Sequence, residues 1–205
     1  MTQDKILILD FGSQVSQLIA RRVREAHVYC ELRSFDMPLE EIKAFNPKGI
    51  ILSGGPNSVY KSDYQADAAI FELGIPVLGI CYGMQFMAHH LGGEVSSGNQ
   101  REFGYAKVSL EPNALTNGIY DGKENELEVW MSHGDKVSKL PAGFSIGGHT
   151  PSCPIAIMEN ASKHFYGVQF HPEVTHTKQG TALLNRFVLD ICHTQPSWTM
   201  PNYID

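Results

Sequence analysis

The chain opens with a short continuous apolar run, Ile6-Leu7-Ile8-Leu9, bounded by Lys5 and Asp10. Such a run, with no alternation, suits a strand covered on both faces. From Gln14 to Ala26 the period changes. Val15, Leu18, Ile19, Val23 and Ala26 recur at steps of three and four, while Arg21, Arg22, Arg24 and Glu25 fall largely outside that stripe. This predicts an amphipathic helix. A second strand is expected in Val28 to Leu32, a short helix from Pro38 to Phe45, and a third buried strand in Gly49-Ile50-Ile51-Leu52. A helix around Ala66 to Leu73 stops at Gly74. Pro76-Val77-Leu78-Gly79-Ile80 is then a fourth buried strand, with a helix from Gly83 through Leu91 behind it. This alternation predicts an α/β fold, a mostly parallel open sheet with helices on both faces in the flavodoxin-like manner.

After Leu91-Gly92-Gly93 the texture becomes β-rich. Strand-like pieces fall at Tyr105 to Leu110, Leu127 to Met131, Ser145 to His149, Ile155 to Met158 and Phe165 to Phe170, separated by Gly, Pro and Asn. A final helix fits Thr181 to Cys192, with Leu183, Leu184, Phe187, Val188 and Ile191 along one side. Residues 193–205 show no periodicity and read as a linker, so the expected organisation is one domain over 1–192 followed by that linker.

Composition narrows the function classes. The 205 residues are 42% hydrophobic and 19% charged, as expected for a single soluble core. A formal charge of -6 offers no basic field for a nucleic-acid backbone, so nucleic acid is not an expected partner. No apolar run reaches the ~18–20 residues of a membrane span, and the start, Met1-Thr2-Gln3-Asp4, lacks a signal-peptide pattern. The expectation is a cytoplasmic protein with no membrane partner. Cys30, Cys81, Cys153 and Cys192 stand far apart with no C-x-x-C pair, which argues against a zinc ribbon or a disulfide framework.

Chemistry concentrates at three places. In Gly79-Ile80-Cys81-Tyr82-Gly83 a buried strand meets a helix through a reactive side chain flanked by glycines, the arrangement of a nucleophile elbow. The helix amino end favours thiolate at Cys81. A thiolate nucleophile needs a base, and the base an orienting partner. His171 and Glu173, in Val168-Gln169-Phe170-His171-Pro172-Glu173, offer both. A rival reading makes His171, Glu173 and His176 zinc ligands, but it gives Cys81 no role. Ser53-Gly54-Gly55-Pro56 follows the third buried strand and opens on the same sheet edge. A backbone N–H there, with that of Tyr82, would form an oxyanion hole. A phosphate-cradling loop is disfavoured, since no Gly-Lys-Ser/Thr follows.

These three segments, in this order, resemble the signatures of class I, triad-type glutamine amidotransferases. Asp10-Phe11-Gly12-Ser13-Gln14, Arg101-Glu102-Phe103-Gly104-Tyr105, Trp130-Met131-Ser132-His133-Gly134-Asp135 and Val174-Thr175-His176-Thr177 further resemble the amidotransferase domains of the GMP synthase family. The resemblance covers residues 5 to about 192. It implies hydrolysis of L-glutamine through a thioester on Cys81, with His171 as base and acid and Glu173 orienting it. Gly54 and Tyr82 would hold the oxyanion, and Gly55, Gln85, Ser132, Gly134 and Asp135 the substrate. A carboxylate at Asp135 also suits the ammonium of a free amino acid. The resemblance implies a partner as well: an ATP-pyrophosphatase (synthetase) domain, fused or a separate subunit, that uses the ammonia to convert XMP to GMP. ATP and Mg2+ would belong to that domain, so no cofactor and no metal are expected in this one. No Ser-Gly-Gly-x-Asp-Ser ATP loop is present in the chain. Tyr82, Met84 and the Arg101 to Tyr105 segment are expected to face the partner. Two readings from other classes stand beside this: a non-catalytic glutamine-binding or regulatory module, and a γ-glutamyl hydrolase.

Overall fold

A computed structural model describes residues 4–13, 16–54, 66–120 and 125–198, with backbone only at 98–103, 132 and 133. Among the described residues nine strands form one sheet: β1 (Lys5–Asp10), β2 (Tyr29–Ser34), β3 (Gly49–Leu52), β4 (Val77–Ile80), β5 (Glu94–Leu110), β6 (Glu126–Lys139), β7 (Ser145–His149), β8 (Ile157–Asn160) and β9 (Phe165–Val168). The spatial order is β2-β1-β3-β4-β9-β8-β7-β5-β6. The first five in that order run parallel, and β9-β8, β8-β7, β7-β5 and β5-β6 pair antiparallel. The α/β expectation and the β-rich second half both describe this sheet.

The parallel strands separate two apolar cores. In β1, Ile6 and Ile8 join one cluster and Leu7 and Leu9 the other, which is the physical content of a run with no polar alternation. Helix α1 (Ser16–Glu25) covers the first face through Ile19, Ala20 and Val23. The carboxyl-terminal helix lies on the same face with Leu183, Leu184, Phe187 and Val188. Helix α2 (Leu39–Phe45), a 3-10 turn (Ala68–Glu72) and α3 (Tyr82–His90) cover the second through Ile42, Ile70, Phe71, Met84, Phe86 and Met87.

Three elements differ from the periodicity. The expected helix around 66–73 is the 3-10 turn, capped by the Asp67 side chain at Ala69 N–H and cut off at Gly74, whose φ is +74°. Six residues between the Asp67 cap and Gly74 leave room for a short helical turn, and this one takes the tighter 3-10 form. The final helix changes pitch: α4 (Gly180–Asn185) passes into a π-helical segment (Arg186–Ile191), closed by Cys192 N–H on Phe187 O at 2.9 Å. Finally, β5 and β6 are far longer than their apolar stretches. They pair from Glu94↔Lys139 to Ser109↔Glu126, with an irregularity between Ser97 and Glu102.

The start of the predicted helix at Gln14 and Val15 lies outside the described residues. Residues 193–198 run back over the α1-β2 corner: Gln195 N–H reaches Asp4 at 2.8 Å and Trp198 N–H reaches His27 O at 2.9 Å. Among the described residues no helix is long and apolar enough to cross a membrane.

Candidate active site

Cys81 sits between β4 and α3 with φ +53° and ψ −108°, a conformation an L-residue adopts at a cost of roughly 1–3 kcal/mol. The flanking glycines permit it. A Cβ on Gly79 would lie 2.6 Å from Gly83 O, and one on Gly83 would overlap the Leu52 carbonyl, so strand, elbow and helix close together only without side chains. The turn aims the sulfur at the carboxyl edge of the sheet. Gly54 lies over it, because a Cβ there would stand 3.4 Å from Cys81 Cβ and 3.3 Å from His171 Cε1. Ser53 anchors that loop: its N–H donates to Leu9 O, and its hydroxyl accepts from Phe11 N–H at 3.2 Å.

Because β4 and β9 are parallel neighbours, with Ile80 opposite Val168, both chains leave the sheet at this edge. Cys81 N–H bonds Val168 O at 2.8 Å. Three residues later, His171 Nε2 lies 3.3 Å from Cys81 Sγ. His171 Nδ1 lies 2.7 Å from Glu173 Oε1, and the Glu173 side chain is 1% exposed. Sulfur, imidazole and carboxylate thus form one line. The thiol also has Gln169 O as an acceptor at 3.0 Å. Burial by itself would push the His171 imidazole down. The charge and hydrogen bonding of Cys81, then of Glu173, outweigh it and hold its pKa up at about 11. Glu173 Oε2 has no hydrogen-bond partner among the described residues, so the His171 ring at Oε1 is the group placed to offset burial of this carboxylate.

Of the residues expected to bind substrate, Gln85 is buried on the first turn of α3, and its Nε2 donates to Asp135 O at 3.0 Å. It thereby tethers the backbone of the Ser-His-Gly-Asp segment to the elbow helix. Gly134 and Asp135 lie half-buried in β6, while Gly55 and the Ser132 side chain lie outside the described residues. Tyr82 contributes the first backbone N–H of α3. Its side chain, expected to face a partner, is instead 2% exposed with its ring 5.1 Å from that of Phe11, and Met84 is fully buried. Both occupy the α3 face pressed on the sheet. Tyr105 is exposed, in an aromatic group with Trp130 and His176, whereas the side chains of 101–103 are outside the described residues. His176 lies tilted against Trp130, ring centroids 4.5 Å apart, and among the described residues no three His, Cys, Asp or Glu side chains are grouped to hold a metal ion.

Three groups escaped sequence reasoning. Gln169 is fully buried and lies beside both Cys81 and Gln85. Arg22 Nε donates to Glu173 O at 3.3 Å from helix α1. The Thr177 hydroxyl bonds the His171 carbonyl. A polar residue inside an apolar strand marks Gln169, but nothing local marks the other two.

Fold and site together define an α/β protein with a thiol, an imidazole and a buried carboxylate aligned at the carboxyl edge of its parallel strands. The chain belongs to the class-I glutamine amidotransferase family, whose model matches residues 7–191. It is 82% identical over 205 residues to a glutamine-hydrolysing GMP synthase of Neisseria meningitidis serogroup B. It is 68% identical over 207 aligned positions to that of Chromobacterium violaceum. The alignments cover 100% and 98% of the chain, which spans 39% of the length of each of these relatives. Among solved structures it superposes on a candidate GMP synthase subunit from Thermoplasma acidophilum with a TM-score of 0.81 and 29% identity, over 94% of this chain and 96% of that one. A glutamine amidotransferase from Thermotoga maritima shares the fold, with a TM-score of 0.69 and 22% identity over 96% and 88%.

Proposed function

We propose that the chain is a glutaminase domain that releases ammonia from L-glutamine through a γ-glutamyl thioester on Cys81. The observation that carries this is the line from Cys81 Sγ to His171 Nε2 at 3.3 Å and on from His171 Nδ1 to Glu173 at 2.7 Å. His171 Nε2 stands where it can take the proton of Cys81 as the sulfur attacks the γ-carboxamide carbon. The oxyanion that forms accepts from backbone N–H groups of Gly54 and Tyr82, and the amino end of α3 adds its dipole. As the carbon–nitrogen bond breaks, His171 Nε2 gives its proton to the departing nitrogen and ammonia leaves. The neutral imidazole then takes a proton from water, whose oxygen attacks the thioester carbon. Glutamate departs with the sulfur as leaving group, and the proton on His171 returns to Cys81. Glu173 orients the ring throughout and stabilises its cationic form when it arises.

Gln85 supports the substrate pocket by carrying the Asp135 backbone, and Gly55, Ser132, Gly134 and Asp135 complete the set that holds the α-amino and carboxylate groups of glutamine. The ammonia serves the synthetase portion of a GMP synthase, fused or a separate subunit, which converts XMP to GMP with ATP and Mg2+ in the cytoplasm. Two relatives at 82% and 68% identity, each carrying this chain as 39% of its length, support that assignment. No cofactor is assigned to this domain. The test is glutamate release measured with the synthetase portion present, together with mass spectrometry after a glutamine-mimicking electrophile. Cys81→Ala is expected to abolish release, and labelling is expected at Cys81 with protection by glutamine. Retained release in Cys81→Ala refutes the proposal.

A further inference from the structure

The line from thiol to carboxylate fixes how the His171 ring is rotated, but the height of that ring over Cys81 depends on where the main chain of His171 sits. Two hydrogen bonds from outside the triad set that position. His171 N–H donates to Trp130 O at 3.2 Å, and the His171 carbonyl accepts from the Thr177 hydroxyl at 2.7 Å. The same hydroxyl oxygen accepts from Trp130 N–H at 3.0 Å. A closed circuit results: the Trp130 backbone on β6, the His171 backbone beyond β9, and one side-chain oxygen that joins them.

Thr177 is itself well held. It is 5% exposed, its N–H bonds Val174 O at 3.2 Å, and its carbonyl accepts from Gly180 N–H at 3.1 Å. The segment from His171 to Gly180 therefore folds back so that a residue six positions on grips the carbonyl of the histidine. Pro172, with no N–H to offer, and the single bridge between Met131 and Phe170 leave little else to tie this part of the chain to β6. We infer that Thr177 is a positioning residue for the reaction: its hydroxyl locks the His171 backbone to β6 and so sets the distance between imidazole and thiol.

This rests on the glutaminase reading for its turnover assay but not for its second readout. Thr177→Val keeps the shape and removes the hydroxyl, leaving a carbonyl and an N–H without their partner. A displacement of the ring by about 1 Å is enough to cost on the order of 100-fold in rate. Thr177→Val is expected to lower kcat for glutamine hydrolysis by about 10- to 100-fold with KM within about threefold, and Thr177→Ser is expected to restore at least half of wild-type kcat. The second readout is the alkylation rate of Cys81 by iodoacetamide at pH 7, with His171 ring shifts followed by NMR. In Thr177→Val alkylation is expected to slow about fivefold or more and the ring to titrate at lower pH.

Should Val not fold, as judged by circular dichroism, Thr177→Ala against Thr177→Ser gives the same comparison. Equal kcat in the hydroxyl-bearing and hydroxyl-free variants overturns the inference, as does unchanged alkylation in a folded Val or Ala variant. If the wild type labels at Cys81 but does not hydrolyse glutamine, the functional proposal fails. The alkylation series then still decides the role of Thr177.

Discussion

Glu173→Gln isolates the buried carboxylate with almost no change of shape. The wild-type contact, 2.7 Å between Glu173 Oε1 and His171 Nδ1, is a charge-assisted hydrogen bond closed to solvent. Such bonds contribute roughly 1.5–3 kcal/mol, and one pKa unit corresponds to about 1.36 kcal/mol. The His171 pKa, held at about 11, is therefore expected to fall by roughly 1–2 units in the variant. If that energy is also lost at the transition state, kcat falls roughly 10- to 150-fold. Linkage gives a further sign. A raised folded-state pKa favours the imidazolium, so its share of stability is complete below about 6.5, declines as pH rises, and is gone above about 11. The variant has a smaller share to lose, so the stability gap between the two proteins narrows from pH 7 towards pH 10.5. Histidine-ring NMR titration, steady-state kinetics and urea unfolding at several pH values measure the three effects. An unchanged His171 midpoint, with kcat within about threefold of wild type, would refute the account of Glu173.

Gly54→Ala should fold normally yet lose about 100-fold or more in kcat/KM, because its Cβ enters the space 3.3–3.4 Å from His171 and Cys81 that the γ-carboxamide must occupy. Near-normal kinetics would place the substrate elsewhere. Gly83→Ala should instead destabilise, by about 1–3 kcal/mol in urea unfolding, since its Cβ would overlap the Leu52 backbone and α3 must shift. In thiol titration of the native protein at pH 8, Cys81 should react well before Cys30 and Cys192, whose thiols burial pushes up, Cys30 to about 11. Equal rates for all four would contradict that ordering.

Much of the fold was legible in local pattern. Strand β3 was read with its observed ends, and β1, β4 and α2 to within a residue or two at each end, because a continuous apolar run or a three-four stripe has one easy way to be buried. The elbow was equally legible, since glycines at 79 and 83 around Cys81 have a steric meaning that needs no distant residue. What escaped was set by pairing at long range. The amino-terminal half of β5 carries Ser96, Ser97 and neighbours with little apolar content, and it is a strand because β6 lies alongside it. Tyr82 and Met84 looked available for a partner, whereas the packing of α3 on the sheet buries both.

The sequence by itself determined which chemistry the chain carries: a strained thiol, a histidine and a carboxylate two residues apart, and a glycine loop at the same sheet edge. Local sterics, hydrophobic period and side-chain chemistry suffice for that. Tertiary structure decided that β9 lies beside β4, which brings His171 to Cys81 across 90 positions of sequence. It also decided that Thr177, Gln169 and Arg22 stand around them. Hydrogen bonds between residues far apart in the chain have no local signature, because they exist only once burial of both faces of the sheet has fixed the strand order.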